Sequence, residues 1–338
     1  MTPDILQALK REYLPALETT LREMLEYPPE RIDVAAQMLH YHMGWEVQEL
    51  PTGAPGKRTR PLLALLCAHV AGGQWRAALP LAAAVELVHN FSLIHDDIQD
   101  ESELRRGRPT LWALWGMPQA INAGDALFAH AHLAVQSATA LAPQARLEAL
   151  SVLDKACLAL TTGQHSDLAF ESAEHVDEET YMKMVSGKTA ALISAAAELG
   201  ALAGGASVAR RENFGAFGQA LGMAYQVRDD ILGIWGESSR TGKPAGADIR
   251  ARKKTLPVVF GLENSPELRT LYCLPVDRDA DVPPAVRLLD ECGARAAAES
   301  VEREQVELAL SELATAGPAG DAGKALHALA RQLPGRSS

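Results

Sequence analysis

Residues 80–100 form a long apolar run with helical spacing. It closes on Leu93-Ile94-His95-Asp96-Asp97-Ile98-Gln99-Asp100, with three carboxylates in the last five positions. A helix this apolar needs a core around it, and its acidic end needs something to bind. Nothing elsewhere competes with a helical reading. Val, Ile, Thr, Tyr and Phe never gather into alternating runs, so strand signals are weak. Helices are expected near 4–26, 30–48, 61–70, 118–140, 144–170, 177–203, 207–235 and 255–263. The tail from about 283 reads as two helices joined by the turn at 317–323. The fold class is therefore all-α, with a large buried core. No linker divides the chain convincingly, so one domain over 1–338 is expected.

The net charge of -11 argues against a nucleic-acid binder, whose footprint is basic. Positive charge is concentrated in Lys57-Arg58-Thr59-Arg60, in Arg105-Arg106 and in 250–254, which suggests local anion sites. The four cysteines are widely spaced with no CxxC pair, as expected of reduced thiols in a cytoplasmic protein. The N-terminal stretch is charged and amphipathic and does not read as a signal peptide. The segment 190–206 is apolar but short and rich in small residues. It reads as a closely packed core helix, so no transmembrane segment is expected.

On a helix, Asp96 and Asp100 share one face, one turn apart, with His89 and Leu93 on the same stripe. Like charges at that spacing repel unless cations lie between them. Acids at a helix C-terminus also oppose the macrodipole, so a merely solvated end is a poor explanation. Arginines follow at once in Arg105-Arg106-Gly107-Arg108-Pro109-Thr110. Magnesium favours carboxylate and phosphate oxygens, and arginine matches phosphate with a two-pronged fork, so a metal-bound diphosphate is the natural shared ligand. A second helix-borne pair occurs in Gln226-Val227-Arg228-Asp229-Asp230-Ile231-Leu232-Gly233. Gly56-Lys57-Arg58-Thr59-Arg60-Pro61 places cations on a loop entering a helix, where backbone N–H groups favour anions. Ser186-Gly187-Lys188-Thr189 lacks the upstream glycine of a P-loop, because position 182 is Met; a lysine and a hydroxyl facing a cavity is the better reading.

In this order the motifs resemble the trans-type isoprenyl diphosphate synthases, the polyprenyl synthetase family. Its signatures are a GKRxRP loop, DDxxD followed by RRGxPT, a KT step, a second Asp-rich motif and a TGKxxGxD loop with a lysine beyond it. Here they are residues 56–61, 96–100, 105–110, Lys188-Thr189, 226–230, and Thr241-Gly242-Lys243 with Asp248 and Lys253. The resemblance implies the isoprenoid synthase fold, roughly a dozen helices in a single bundle around a central cavity, usually as a homodimer. It implies head-to-tail condensation of isopentenyl diphosphate with allylic diphosphates. Magnesium, about three ions per site, would be held by Asp96, Asp100 and Asp229, with Asp97 and Asp230 supporting the cluster. Arg105, Lys188 and Lys253 would hold the allylic diphosphate. Lys57, Arg60, His89 and Arg106 would hold isopentenyl diphosphate, and Lys243 would also bind substrate. Thr189 and Gln226 would lie beside the ionising carbon. Loops 101–109 and 236–248 would act as lids.

The second motif ends in Gly233 where many family members have Asp, which removes one possible carboxylate and leaves Asp229. By helical spacing Ser92 and Val88 lie below Asp96, with Phe91 on the flank. In the family, bulk at four and five residues before the motif, here Ser92 and Phe91, goes with a short product. Small Ser92 beside Phe91 points to a geranylgeranyl product, with farnesyl next. Two other functions fit parts of the pattern. A class I terpene cyclase would need no second diphosphate site. A non-catalytic partner subunit would be expected to lose its acids.

Overall fold

The computed structural model describes residues 4–26, 34–47, 50–51, 56–236, 246–274 and 279–332. Its helices are α1 (Ile5–Met24), α2 (Val34–Met43), α3 (Thr59–Gly72), α4 (Leu79–Gln99), α5 (Leu111–Trp115), α6 (Met117–Gln136), α7 (Pro143–Ser172), α8 (Glu178–Val185), α9 (Ala191–Ala203) and α10 (Val208–Trp235). They continue as α11 (Ala247–Arg250), α12 (Leu256–Asn264), α13 (Pro266–Cys273), α14 (Val282–Glu291), α15 (Ala294–Thr315) and α16 (Gly320–Gln332). The chain forms two compact units. One comprises Met1–Asp154, Ala195–Arg211 and Pro318–Leu326; the other comprises Lys155–Ser194, Glu212–Gly317 and His327–Ser338.

In the first unit α4 is the central helix. It packs along α6 and also meets α3 and α1. Its apolar residues from Leu81 to Val88 are almost fully buried, which is why so apolar a helix is stable here. Within Trp75–Gln99 an 18-residue window is apolar enough to cross a membrane, with a mean hydropathy of 1.5, yet 61% of that window is buried inside the protein. That is core-helix behaviour. The small residues of α9 let backbones meet. A Cβ on Gly200 would come 2.1 Å from the Ala64 carbonyl of α3.

In the second unit α12 packs against α8, α13, α14 and α15. One apolar cluster joins Phe170, Tyr181, Val185, Val227, Ile231 and Val259. Another joins Ile234, Ile249, Val258, Leu268, Ala285 and Leu289. Several helices start on side chains that accept from the first turn: Asp4 on α1, Asp177 on α8 and Ser265 on α13.

The all-α expectation holds, with local differences. Residues 177–203 are not one α-helix: a π-helical turn, Ser186–Ala190, separates α8 from α9. The tail holds three helices, because Gly293 at φ 79° breaks α14 from α15. α13 lies where no helix was expected. The loop after α4 contains a two-stranded antiparallel hairpin, β1 (Leu104–Arg105) with β2 (Arg108–Pro109).

Candidate active site

In the first unit the site grows from the end of α4. The helix closes with the Asp100 N–H donating to the Asp96 carbonyl at 2.8 Å, and Glu101 at φ 50° turns the chain. Ser102 N–H then donates to the Asp97 carbonyl at 2.9 Å. The hairpin reverses at Arg106 and Gly107, whose φ values of 53° and 75° are those of a type I′ turn. The reversal brings Arg105 back to the helix, where its Nε donates to Asp97 Oδ1 at 2.7 Å.

The three acids therefore differ. Asp97 is 3% exposed, and burial pushes its carboxyl up to about 6 although Arg105 opposes the shift. Asp96 is half-buried and Asp100 is exposed. They are the helix's outward pair. Arg105 is correspondingly divided: Nε is committed to Asp97, and the side chain is still 32% exposed beyond that pair.

Close by, Arg106 lies against the loop that enters α3. A Cβ on Gly56 would come 2.9 Å from the Arg106 Nη2, so a side chain there would push the guanidinium aside. Arg60 Nη1 lies 3.3 Å from His89 Nε2. His89 is held neutral. Burial first, then Arg60, Arg106, Arg105 and His42, depress its pKa well below the usual imidazole value. Gly56, Arg60, His89 and Arg106 thus form a cationic surface around a neutral imidazole, suited to an anion. Lys57 is exposed on the same loop.

Several supporting residues escaped the sequence reading. Arg58, at φ 49°, points inward and donates to Glu86 at 2.8 Å and to the Met43 carbonyl at 3.1 Å. Glu86 was the available signal, being an acid inside an apolar helix. Arg108 donates to the Tyr41 carbonyl at 3.0 Å and lies over the Tyr41 ring. Tyr41 OH in turn donates to the Pro109 carbonyl at 2.8 Å, so Tyr41 fastens β2 while the Arg105–Asp97 pair holds β1. His42 lines the same small cleft as Asp97, Arg105 and Arg106. Burial and the surrounding arginines lower its pKa to about 3. The stretch 101–109 is thus a pinned hairpin and not a loose lid.

Below the acids, Val88 is buried, and the Ser92 hydroxyl turns back to donate to the His89 carbonyl at 2.8 Å. Phe91 meets His95 edge-on at 4.9 Å and Phe128 of α6 at 5.2 Å.

In the second unit the π-helical turn carries Lys188 and Thr189. It exists where α7 approaches too closely for side chains. A Cβ on Gly163 would lie 2.2 Å from Lys188 N, and one on Gly187 would lie 2.6 Å from the Ala159 carbonyl. Lys188 is ion-paired to Asp167, a partner that sequence reasoning missed. Thr189 Oγ1 donates to Gln226 Oε1 at 2.7 Å, and Gln226 Nε2 donates to Asp230 Oδ1 at 2.9 Å. Asp230 Oδ2 accepts from Tyr181 OH and from Leu256 N–H at 3.1 Å. Burial pushes the Asp230 carboxyl up to about 7, against the pull of those donors. Its neighbour Asp229 is exposed.

Lys253 is exposed, whereas Lys254 turns in to donate to the Phe170 carbonyl at 2.7 Å. Lys243 lies outside the described residues. Among the described residues no three His, Cys, Asp or Glu side chains form a ready-made metal cage. One or two outward carboxylates per unit is nevertheless the donor set magnesium takes when phosphate oxygens and water complete its shell. The residues fit the ion.

A family model described as polyprenyl synthetase matches residues 46–288. The chain is 45% identical over 247 residues to the (2E,6E)-farnesyl diphosphate synthase of Mycobacterium tuberculosis, covering 71% of this chain and 66% of that protein. It thus spans just under two thirds of the length of that relative. It is 41% identical over 286 residues to the geranylgeranyl diphosphate synthase of Mycobacterium tuberculosis, covering 82% of this chain and 81% of the other. The crystal structure of geranylgeranyl pyrophosphate synthetase from Pyrococcus horikoshii matches with a TM-score of 0.89 at 33% identity, over 99% of each chain. With the motifs, the helical fold and these likenesses in agreement, the chain belongs to the polyprenyl synthetase family.

Proposed function

We propose that this protein is a short-chain trans-prenyltransferase that condenses isopentenyl diphosphate head to tail with an allylic diphosphate. The observation that carries the reading is the pairing, within one unit, of outward carboxylates Asp96 and Asp100 with a separate cationic set, Arg60, His89 and Arg106. An ionising enzyme needs the first. Only an enzyme that binds a second diphosphate needs both. This favours chain elongation over terpene cyclisation. Retention of the outward acid in both Asp pairs argues against a non-catalytic partner subunit.

Asp96, Asp100 and Asp229 are the residues proposed to hold magnesium, with Asp97 and Asp230 as buried supports. The ion supplies charge stabilisation for the departing diphosphate. Arg105, Lys188 and Lys253 are assigned to the allylic diphosphate. Lys57, Arg60, His89 and Arg106 are assigned to isopentenyl diphosphate, and Lys243 also to substrate. Allylic C–O cleavage leaves a carbocation, and the isopentenyl double bond attacks it. A proton is then lost to the released diphosphate. The side-chain oxygens of Thr189 and Gln226, held in register by their mutual hydrogen bond, stabilise the cation as fixed dipoles.

We further propose a geranylgeranyl product, one synthase domain over 1–338, a homodimer and a cytoplasmic location. The family match over 46–288 supports the single domain. The small Ser92 and the wedged Phe91 support the product length.

The deciding experiment incubates purified protein with magnesium, isopentenyl diphosphate and each of dimethylallyl, geranyl and farnesyl diphosphates, with products identified by mass. Each primer should be extended to the same prenyl diphosphate. A hydrocarbon without isopentenyl incorporation would establish the cyclase instead. In the same assay Phe91→Ala should lengthen the final product by one or more isoprene units. An unchanged product would remove Phe91 as the floor.

A further inference from the structure

The hairpin after α4 carries three arginines, and like charges packed together need fixed partners to keep their places. Arg105 has one in Asp97, to which its Nε donates at 2.7 Å. Arg108 has one in the Tyr41 carbonyl, at 3.0 Å, and another in the face of the Tyr41 ring. Arg106 stands at the turn between them. Burial is the largest effect against its charge; Glu86 favours that charge, while Arg105, Arg58 and Arg108 oppose it. Among the described residues its guanidinium makes no hydrogen bond.

An open polar group shares a cleft with it. His42, at the end of α2, is 8% exposed, and its Nε2 is buried without a hydrogen-bond partner in the protein. His42 and Arg106 line one cavity of about 20 Å3 with Asp97, Arg105 and Arg108, which is room for a single water. A guanidinium only donates, so a water there accepts from Arg106 and keeps its own protons to give. A neutral imidazole protonated on Nδ1 offers Nε2 as the acceptor for one of them. Burial, and then the surrounding arginines, hold His42 in that uncharged form. Left unbonded at this depth, the nitrogen would carry its full desolvation cost.

We propose that this cleft binds one water joining His42 Nε2 to the Arg106 guanidinium, and that His42 is thereby a positioning residue for Arg106. The inference rests on the prenyltransferase reading, in which Arg106 holds isopentenyl diphosphate and Arg105 the allylic diphosphate. Its consequence is selective. Loss of the water tie frees Arg106, while Arg105 keeps its bond to Asp97. His42 therefore sets the affinity for one substrate and not for the other.

A high-resolution crystal structure of the full-length protein should show a water within hydrogen-bond distance of both His42 Nε2 and Arg106; a cleft without one overturns the proposal. His42→Leu keeps the bulk and removes the acceptor. It should raise the KM for isopentenyl diphosphate about tenfold, the size of one hydrogen bond to a charged group, and leave kcat and the KM for geranyl diphosphate near wild type. His42→Gln, whose amide oxygen can take the same water, should keep the wild-type KM. Arg106→Leu should weaken isopentenyl diphosphate binding by itself, and adding His42→Leu should weaken it no further, because the tie is already gone. A wild-type KM in folded His42→Leu overturns the proposal. So does an equal loss for both substrates, which would mark a general loosening of the hairpin. Calorimetric titration of the wild type with isopentenyl diphosphate separates the two readings. No binding and no extension of any primer removes the prenyltransferase reading, whereas binding that is indifferent to His42 removes only the role given to His42.

Discussion

Adjacent aspartates in this protein do different work. Successive residues on a helix point about 100° apart, so a DD pair cannot aim both carboxylates at one ligand. Asp97 and Asp230, each 3% exposed, point into protein and are met by Arg105 and by Tyr181, Gln226 and Leu256. Asp96 and Asp229 face outward. The same division marks the basic loop, where Arg60 reaches His89 while Arg58 turns in to Glu86 with both side chains almost fully buried. Removing one partner of such a pair strands the other charge. Arg58→Met should lower the unfolding free energy by about 3–5 kcal/mol in urea titrations. The Arg58→Met, Glu86→Leu double variant should regain most of the loss. Equal stability of the single variant and the wild type would show that the pair contributes nothing.

At the scale of elements, glycines decide where the site residues sit. The π-helical turn that presents Lys188 and Thr189 depends on backbone-to-backbone approach at Gly163 and Gly187. Such turns insert one residue into a helix and re-aim the side chains beyond it. In Gly163→Ala the new methyl meets the Lys188 backbone nitrogen, which cannot rotate away. Overpacking of this kind costs about 1–3 kcal/mol. Prenyl transfer measured well below the unfolding temperature should fall as Lys188 is displaced, chiefly through a raised KM for the allylic diphosphate. An unchanged KM would disconnect the turn from substrate. The spacing of 177–203 could not reveal this turn, because a single inserted residue hardly alters a 3.6-residue apolar period. The hairpin was equally hidden, since strands of two residues leave no alternation to read.

Across the whole molecule, buried titratable groups oppose one another in their response to pH. His42 and His89 resist protonation when folded, so below the usual 6.5 the unfolded chain binds more protons and stability falls as pH falls. Asp97 and Asp230 hold protons longer when folded. Between 3.8 and about 6 for Asp97, or about 7 for Asp230, stability therefore falls as pH rises. The slopes cancel in part over the shared range. Replacing His42 with Gln removes one of the terms that favours higher pH, so the variant should lose less stability than wild type between about pH 7 and about pH 5, by up to about 1.4 kcal/mol per pH unit. Parallel urea titrations at the two values check this; identical pH dependence would mean that His42 titrates as it does in the unfolded chain. Neutral His42 is a product of tertiary burial beside Arg58, Arg105, Arg106 and Arg108, and no local pattern announces it. By itself the sequence determined the all-α class, the long core helix ending in acids, and the chemistry of its motifs, because helical periodicity and charge clusters are local properties. Only the tertiary structure decided which aspartate of each pair faces out and that Arg58 is structural. Those outcomes depend on residues far apart in the chain competing for the same small volume.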